Sequence, residues 1–236
     1  MRALLLAGGY GSRLRPLTDT VPKCLVPIHG RPLLELWFDL LFPADIEHAV
    51  VNTHYLAERV RSFVAASPYA DQVDLVHEPQ LLGTGGTILA NADRFGEEPF
   101  LVAHADNLTD FDVAAFAKAH LDRPPGTVMT MMTFDTDRPE SCGIVETSPD
   151  GVVIKFHEKV ARPPSTVANA AVYIVGPEII AFMAGLGRTE IDFSTEVIPH
   201  FIGRIATWHG TRYHRDIGTP ESLALAEEEY PRRSVD

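Results

Sequence analysis

The chain has 236 residues, 45% hydrophobic and 22% charged, an ordinary globular composition with enough apolar material for one large domain. Its formal net charge of −12 argues against non-specific nucleic-acid or anionic-membrane binding, and no stretch reaches the ~18 uninterrupted apolar residues of a membrane span. With no secretory leader pattern and two distant cysteines, Cys24 and Cys142, the expectation is a cytoplasmic protein with free thiols and neither a disulfide framework nor a structural zinc site.

In chain order, an apolar strand over 3–7 runs into a loop carrying Gly8, Gly9 and Gly11, then Ser12, Arg13 and, after a proline, Lys23. Glycines let backbone amides approach phosphate oxygens with no Cβ in the way, and successive amides in such a turn form an anion-binding nest. Between Met1 and Arg31 the five cations Arg2, Arg13, Arg15, Lys23 and Arg31 face the single acid Asp19, so a polyanion is expected here within an acidic protein. The dinucleotide fingerprint fails because Leu14 stands where its third glycine belongs, and no Gly-Lys-Ser/Thr follows the last glycine as a Walker loop requires.

Strand-like runs then alternate with helical patterns: helix over 33–41, strand 49–52, helix 56–65, strand 73–77, helix 87–92, strand 100–103, helix 113–120. This alternation reads as an α/β fold, a single Rossmann-like three-layer domain whose mixed sheet is mostly parallel. Ligands of such sheets bind beyond the carboxyl ends of the strands, where 8–23, 78–86 and Asp106 fall. From 127 onward the runs 127–134, 143–147, 152–158 and 167–175 succeed one another with little helix between, and Ser148-Pro149-Asp150-Gly151 marks a turn, so this half is expected to be hairpin-rich. Helical patterns return at 177–184, 192–201 and 220–229, with a cap region at Asp192.

Over 5–23 the sequence reads G-x-G-[ST]-R-L-x-P-L-T followed by P-K, and on these residues the chain resembles the sugar-1-phosphate nucleotidyltransferases. The resemblance runs from Met1 to about Ala226 and implies one catalytic domain over 1–236, with a nucleotide-binding half at 1–126 and a sugar-phosphate half at 127–226. It implies that Arg13 and Lys23 act on the phosphates, that Leu6, Ala7, Gly8, Gly9, Gly11 and Ser12 form the nucleotide cradle, and that Asp106 and Asp216, the latter in Asp216-Ile217-Gly218-Thr219-Pro220, hold Mg2+. An aspartate at a strand end is otherwise a cap or turn residue, so the metal assignment rests on the resemblance. Gly143, Glu158, Lys159 and Asn169 match the sugar-phosphate motifs, although Cys142, Val160 and Ala171 stand where the family usually has tyrosine, proline and glycine. Ala105 likewise replaces a glycine before Asp106, and His104 on its apolar strand reads as a satisfied core histidine.

The run Glu78-Pro79-Gln80-Leu81-Leu82-Gly83-Thr84-Gly85-Gly86 looks like the base-reading loop of that family, with Glu78, Gly83 and Thr84 at the nucleotide and the glycines packing against base and sugar. A carboxylate acceptor suits the N1–H and amino donors of guanine, whereas a uracil or thymine reader more naturally uses an amide. The expected activity is Mg2+-dependent transfer from an NTP, GTP favoured, to a mannose- or heptose-type sugar 1-phosphate. The alternatives are uridylyl or thymidylyl transfer to a sugar such as N-acetylmuramate or glucose 1-phosphate, and a non-catalytic sugar-nucleotide sensor. A choline phosphate acceptor would call for an aromatic cage, which the sequence near 158–173 lacks. No hexapeptide-repeat extension follows Pro231, so no second acyltransferase activity is expected, and apolar helix faces leave a homo-oligomer open.

Overall fold

The first strand alternates cleanly between two apolar layers: Ala3 and Leu5 enter one buried cluster, Leu4 and Leu6 the other. A strand buried on both faces needs such a continuous apolar run, and it marks the centre of a sheet sandwiched by helices. The computed structural model, which describes residues 1–231, bears this out. Its strands are β1 (Arg2–Leu6), β2 (Pro27–Ile28), β3 (Arg31–Pro32), β4 (His48–Thr53), β5 (Val73–His77), β6 (Phe100–His104) and β7 (Asn107–Phe111) in the first half. The second half contributes β8 (Met129–Asp135), β9 (Gly143–Thr147), β10 (Val153–Glu158), β11 (Val167–Val175), β12 (Ile205–Trp208) and β13 (Thr211–Asp216). The helices are α1 (Leu33–Leu41), α2 (Ala57–Ala66), α3 (Gly83–Asn91), α4 (Val113–Leu121), α5 (Pro177–Gly185) and α6 (Pro220–Glu229).

The order β10-β9-β11-β6-β1-β4-β5 forms the spine of one sheet, with β8 paired to β11 and β12 paired in turn to β8. β5, β4, β1 and β6 are parallel neighbours, as βα units dictate. On one face α1 inserts Leu34, Trp37, Phe38 and Leu41, and α2 and α4 add Val60, Val64 and Phe116. On the other, Ile88 of α3 meets Ile179 and Met183 of α5 and the turn carrying Phe193 and Val197. Burying one such large side chain contributes roughly 1.5–3 kcal/mol, and the two clusters hold the layers together.

β11 ends the parallel half. It runs antiparallel to β6 through Tyr173↔Val102 and to β8 through Tyr173↔Met131, and its register breaks between Asn169 and Tyr173. Ala171 takes φ 53° in that bulge, a left-handed conformation that glycine tolerates better. The side chain of Asn169 staples the kink, its Oδ1 accepting from the Ala171 amide at 3.0 Å and its Nδ2 donating to the Tyr173 hydroxyl at 2.7 Å.

Several elements differ from the sequence expectation, β2, β3 and β12 among them. α3 begins at Gly83, four residues before the apolar pattern. The 192–201 helix is broken into a π-helical turn, Phe193–Val197, and a 3-10 turn, Ile198–Phe201, because Pro199 has no amide to continue the ladder. An unanticipated ladder pairs β13 with β7, placing Asp216 opposite Asn107.

Candidate active site

The cradle is built where β1 stops. The Ala7 amide donates to Asn52 Oδ1 of β4 at 2.6 Å, which fixes the loop's exit from the strand. Beyond it, none of the amides of Gly8, Gly9, Tyr10, Ser12 and Arg13 donates to a backbone carbonyl among the described residues, and Gly9, Ser12 and Arg13 are exposed. Gly11 adopts φ 62°, and a Cβ there would lie 3.0 Å from Thr18 Cγ2 and 3.2 Å from Lys23 Cβ. At Gly9 a Cβ would meet nothing within 4 Å, so that face is open to a ligand. A loop of unspent amides with a cation behind it is an anion site.

That cation is Lys23. Its side chain is only 7% exposed, and Nζ donates to Asp106 Oδ2 and to Asp216 Oδ1, each at 2.9 Å. Burial alone would lower the Lys23 pKa, but the two carboxylates outweigh it and the net shift is upward. Burial likewise works to raise the Asp106 pKa, and Lys23 and His104 overcome it, so the carboxyl is held below its usual range. Both partners therefore stay charged at neutral pH. Asp216 is further fixed by the Gly218 amide at 2.8 Å, and Arg13, exposed at the cleft mouth, lies 3.4 Å from its second oxygen.

The two carboxylates meet on the Lys23 ammonium, and Mg2+ takes one or two carboxylates and completes its shell with water and substrate phosphate oxygens. Asp106 and Asp216 fit that donor set, and no group of three His, Cys, Asp or Glu side chains forms an all-protein cage among the described residues. His104 corrects the expectation of a core histidine. β6 ends at this residue, so its ring is half-buried on the cleft wall beside Lys23 and Asp106, with burial lowering its pKa although Asp106 pulls the other way.

Across the cleft, of about 400 Å³, stand Gly143, Glu158, Lys159 and Asn169. Register pairs Gly143 with Glu158, and a Cβ on Gly143 would lie 2.5 Å from the Phe156 ring and 2.8 Å from Glu158 Oε2, so glycine leaves room for both side chains. Lys159 takes φ 49° at the strand end, its amide donating to the Cys142 carbonyl, and its ammonium lies 3.4 Å from Glu158 Oε1. The substitution of cysteine for the family's tyrosine puts the Cys142 thiol on the cleft wall. Among the lining residues that escaped the sequence reading are Ser194, His214 and Arg215. Burial pushes the His214 pKa down to about 3, so it is neutral, and Arg215 is held by Glu229 and Asp137. The signal for Ser194 was the break in its helix, since π turns gather at functional sites.

The 78–86 loop departs from expectation. Gly83, Gly85 and Gly86 pack against the chain's own backbone rather than against base and sugar. A Cβ on Gly83 would come 2.5 Å from the Ile191 carbonyl oxygen, and the Gly85 and Gly86 amides donate to that oxygen at 2.9 and 3.1 Å. Thr84 Oγ1 accepts from the Phe193 amide at 2.9 Å, so this hydroxyl docks the π turn instead of facing a nucleotide. Glu78, at the carboxyl end of β5, is 4% exposed, and neither carboxylate oxygen has a hydrogen-bond partner. Its backbone is pinned, with the amide donating to Thr53 and the carbonyl accepting from His54 Nδ1 at 2.7 Å. His54 Nε2 in turn meets the Tyr10 hydroxyl at 2.9 Å, which joins the loop to the cradle.

A loop of free amides, a buried lysine between two carboxylates and a facing acid–lysine pair stand together at the strand ends of an α/β sheet, an arrangement chemically suited to a phosphate-rich ligand. Residues 2–233 match the family described as Nucleotidyl transferase, and the chain belongs to it. It is 32% identical over 226 residues to a mannose-1-phosphate guanylyltransferase of Mycobacterium tuberculosis, an alignment covering 94% of this chain and 62% of that protein. It is 29% identical to a UTP–glucose-1-phosphate uridylyltransferase of Synechocystis, covering 86% of this chain and 55% of that protein, so the chain spans little more than half the length of these relatives. Among solved structures, a putative glucose-1-phosphate thymidylyltransferase from Bacillus anthracis superposes with a TM-score of 0.86 at 22% identity, covering 97% and 94% of the two chains. HddC from Yersinia pseudotuberculosis, solved also in complex with GMP-PN, gives a TM-score of 0.81 at 25% identity over 98% and 99%.

Proposed function

We propose that the chain transfers a nucleotidyl group from an NTP, GTP by preference, to a sugar 1-phosphate of the mannose or heptose type, releasing pyrophosphate. The observation that carries this reading is the single cleft in which Lys23, bridged to Asp106 and Asp216, faces Glu158 and Lys159. A phosphate oxygen of the sugar 1-phosphate attacks the α-phosphorus in line, and the bond to pyrophosphate breaks as the new one forms. The attacking group is already anionic, so no general base is needed, and the chain supplies positioning and charge. The amides of 8–13 hold the triphosphate, Arg13 neutralises the leaving pyrophosphate, and Lys23 lies against the α-phosphoryl. Lys159 binds the incoming phosphate and Glu158 accepts sugar hydroxyls, while Asn169, expected at the sugar phosphate, has its oxygen spent on the Ala171 amide and its amide on Tyr173 and instead keeps the bulge beneath them in shape. Mg2+, when bound at Asp106 and Asp216, supplies further charge neutralisation at the phosphate oxygens.

The preference for guanine follows the acceptor-only chemistry of Glu78 at the carboxyl end of β5, whose two oxygens are unpaired but enclosed, so reading a base requires the side chain to turn outward. The guanylyltransferase names among the relatives agree, and the uridylyl and thymidylyl names make base choice the point to test. The test is a pyrophosphate-release assay with Mg2+ crossing GTP, UTP, dTTP, ATP and CTP against mannose, glucose, heptose and N-acetylmuramate 1-phosphates. Activity with GTP that falls in Glu78→Gln supports the full reading. Activity confined to UTP or dTTP overturns the base assignment alone, and a silent grid overturns the reaction and leaves a binding role.

A further inference from the structure

Strand β4 lies between β1 and β5 in the sheet, so its carboxyl end stands between the cradle that follows β1 and the 78–86 loop that follows β5. The end of β4 and the residue beyond it bind both neighbours. On one side Asn52 holds the Ala7 amide, and a Cβ on Gly8 would come 2.9 Å from Asn52 Nδ2 and 3.5 Å from His54 Cβ, so β4 is packed directly against the cradle backbone. On the other side the Thr53 carbonyl accepts from the Glu78 amide at 2.8 Å. His54, half-buried one residue past the strand, donates from Nδ1 to the Glu78 carbonyl at 2.7 Å.

The two hydrogen bonds of His54 fix each other. A carbonyl oxygen only accepts, so Nδ1 carries a proton, and Nε2 of a neutral imidazole then has only a lone pair to offer. The Tyr10 hydroxyl, 2.9 Å from Nε2, is therefore the donor, and one polar chain runs from the tyrosine oxygen through the imidazole to the Glu78 backbone. Tyr10 stands inside the cradle between Gly9 and Gly11 and is 48% exposed, its ring meeting His54 edge-on at 5.3 Å and Tyr55 at 5.6 Å. Ordering a loop of unspent amides around a ligand costs conformational entropy, and a contact that orders the loop beforehand lowers that cost and raises affinity.

We propose that His54 is a positioning residue of the nucleotide site: from the Glu78 side it holds Tyr10, and with it the cradle, in the phosphate-binding shape, so that the two loops flanking β4 are ordered as one unit. This role rests on residues 8–13 being the triphosphate cradle proposed above, and binding without turnover tests it. The probe is tripolyphosphate with Mg2+, which carries no base, titrated by calorimetry into the whole chain. Tyr10→Phe removes the hydroxyl, and His54→Asn keeps an amide donor near the Nδ1 position for Glu78 but no longer reaches Tyr10. Each is expected to weaken tripolyphosphate roughly five- to tenfold, the worth of one hydrogen bond. The double variant is expected to bind no more weakly than either single one, because both remove the same bond. His54→Gln, whose longer side chain brings an amide oxygen toward the Nε2 position, is expected to recover most of the affinity. Losses that multiply in the double variant, or unchanged affinity in Tyr10→Phe, overturn the proposal. So does a loss that follows the thermal unfolding midpoint and is not rescued by His54→Gln, since His54 would then be a structural residue only. No binding of tripolyphosphate to the native chain overturns the cradle and this role with it. A cycle that closes as expected beside a silent pyrophosphate-release assay supports the role of His54 while overturning the reaction.

Discussion

The ammonium of Lys23 lies 2.9 Å from Asp106 Oδ2, across 83 positions of sequence, and joins the cradle that follows β1 to the turn that follows β6. The same nitrogen reaches Asp216, so one buried cation holds together three of the segments that line the cleft. Lys23→Met removes the charge and leaves two carboxylates facing each other. The rate of pyrophosphate release is expected to fall on the order of a hundredfold or more, the usual cost of losing a preorganised contact to the transition state. Because Asp216 is half exposed, the loss of stability is smaller than for a fully buried pair, about 1–3 kcal/mol by urea titration. Near-normal turnover in a folded Lys23→Met protein would contradict the role.

Two glycines that look alike in sequence are expected to respond oppositely. A Cβ at Gly86 would overlap the Thr189 carbonyl, whereas one at Gly9 would meet nothing. Gly86→Ala is therefore an overpacking change, with a stability loss of about 1–3 kcal/mol in thermal or urea unfolding. Gly9→Ala leaves the unfolding midpoint in place but puts a methyl group where phosphate approaches, so nucleotide affinity by calorimetry is expected to drop by about tenfold. Equal effects of the two changes on stability would show that the cradle is not open as described.

Ala171 holds φ 53° where the family usually has glycine. The left-handed conformation costs an alanine roughly 1–2 kcal/mol, and glycine returns part of that as extra freedom in the unfolded chain, about 0.4–1 kcal/mol. Ala171→Gly is expected to stabilise the protein by about 0.5–1 kcal/mol, and Ala171→Val, β-branched at the same angle, to destabilise it by more than that. A urea midpoint that falls in Ala171→Gly would mean that the methyl group's packing against the core outweighs its backbone strain.

What the sequence made legible follows from local physics. The helix over 33–41 and the strands over 73–77, 143–147 and 167–175 lie where apolar periodicity put them, and Arg13 and Lys23 share one motif, whereas Asp106 and Asp216, assigned by resemblance, are brought to them by the fold. The pairing of β7 with β13 was not legible. Its strands are short and polar, and what makes Asp216 a neighbour of Asn107 is a register between segments about a hundred residues apart. Gly83, Gly85 and Gly86 misled because a glycine reads the same whether the space it frees is filled by a ligand or by backbone. His104 misled because strand alternation cannot show where a strand stops.

The last prediction concerns acid. His120 is neutral in the folded protein, with its pKa pushed down from 6.5 to about 4 by burial and Arg123. Between those values the unfolded chain binds a proton that the folded chain refuses, so stability rises with pH there. The contribution is fully present above the unfolded pKa and is lost as pH falls toward 4, at up to about 1.4 kcal/mol per pH unit and up to about 3 kcal/mol in all. Urea titrations of the native sequence and of His120→Gln at pH 7.5, 5.5 and 4.5 isolate this group, since the other titrating residues are common to both. The native sequence is expected to lead at pH 7.5, where the Thr130 hydrogen bond is intact, and its advantage to shrink or invert by pH 4.5. A stability difference that stays constant across the three values would mean that His120 is not the buried neutral base described.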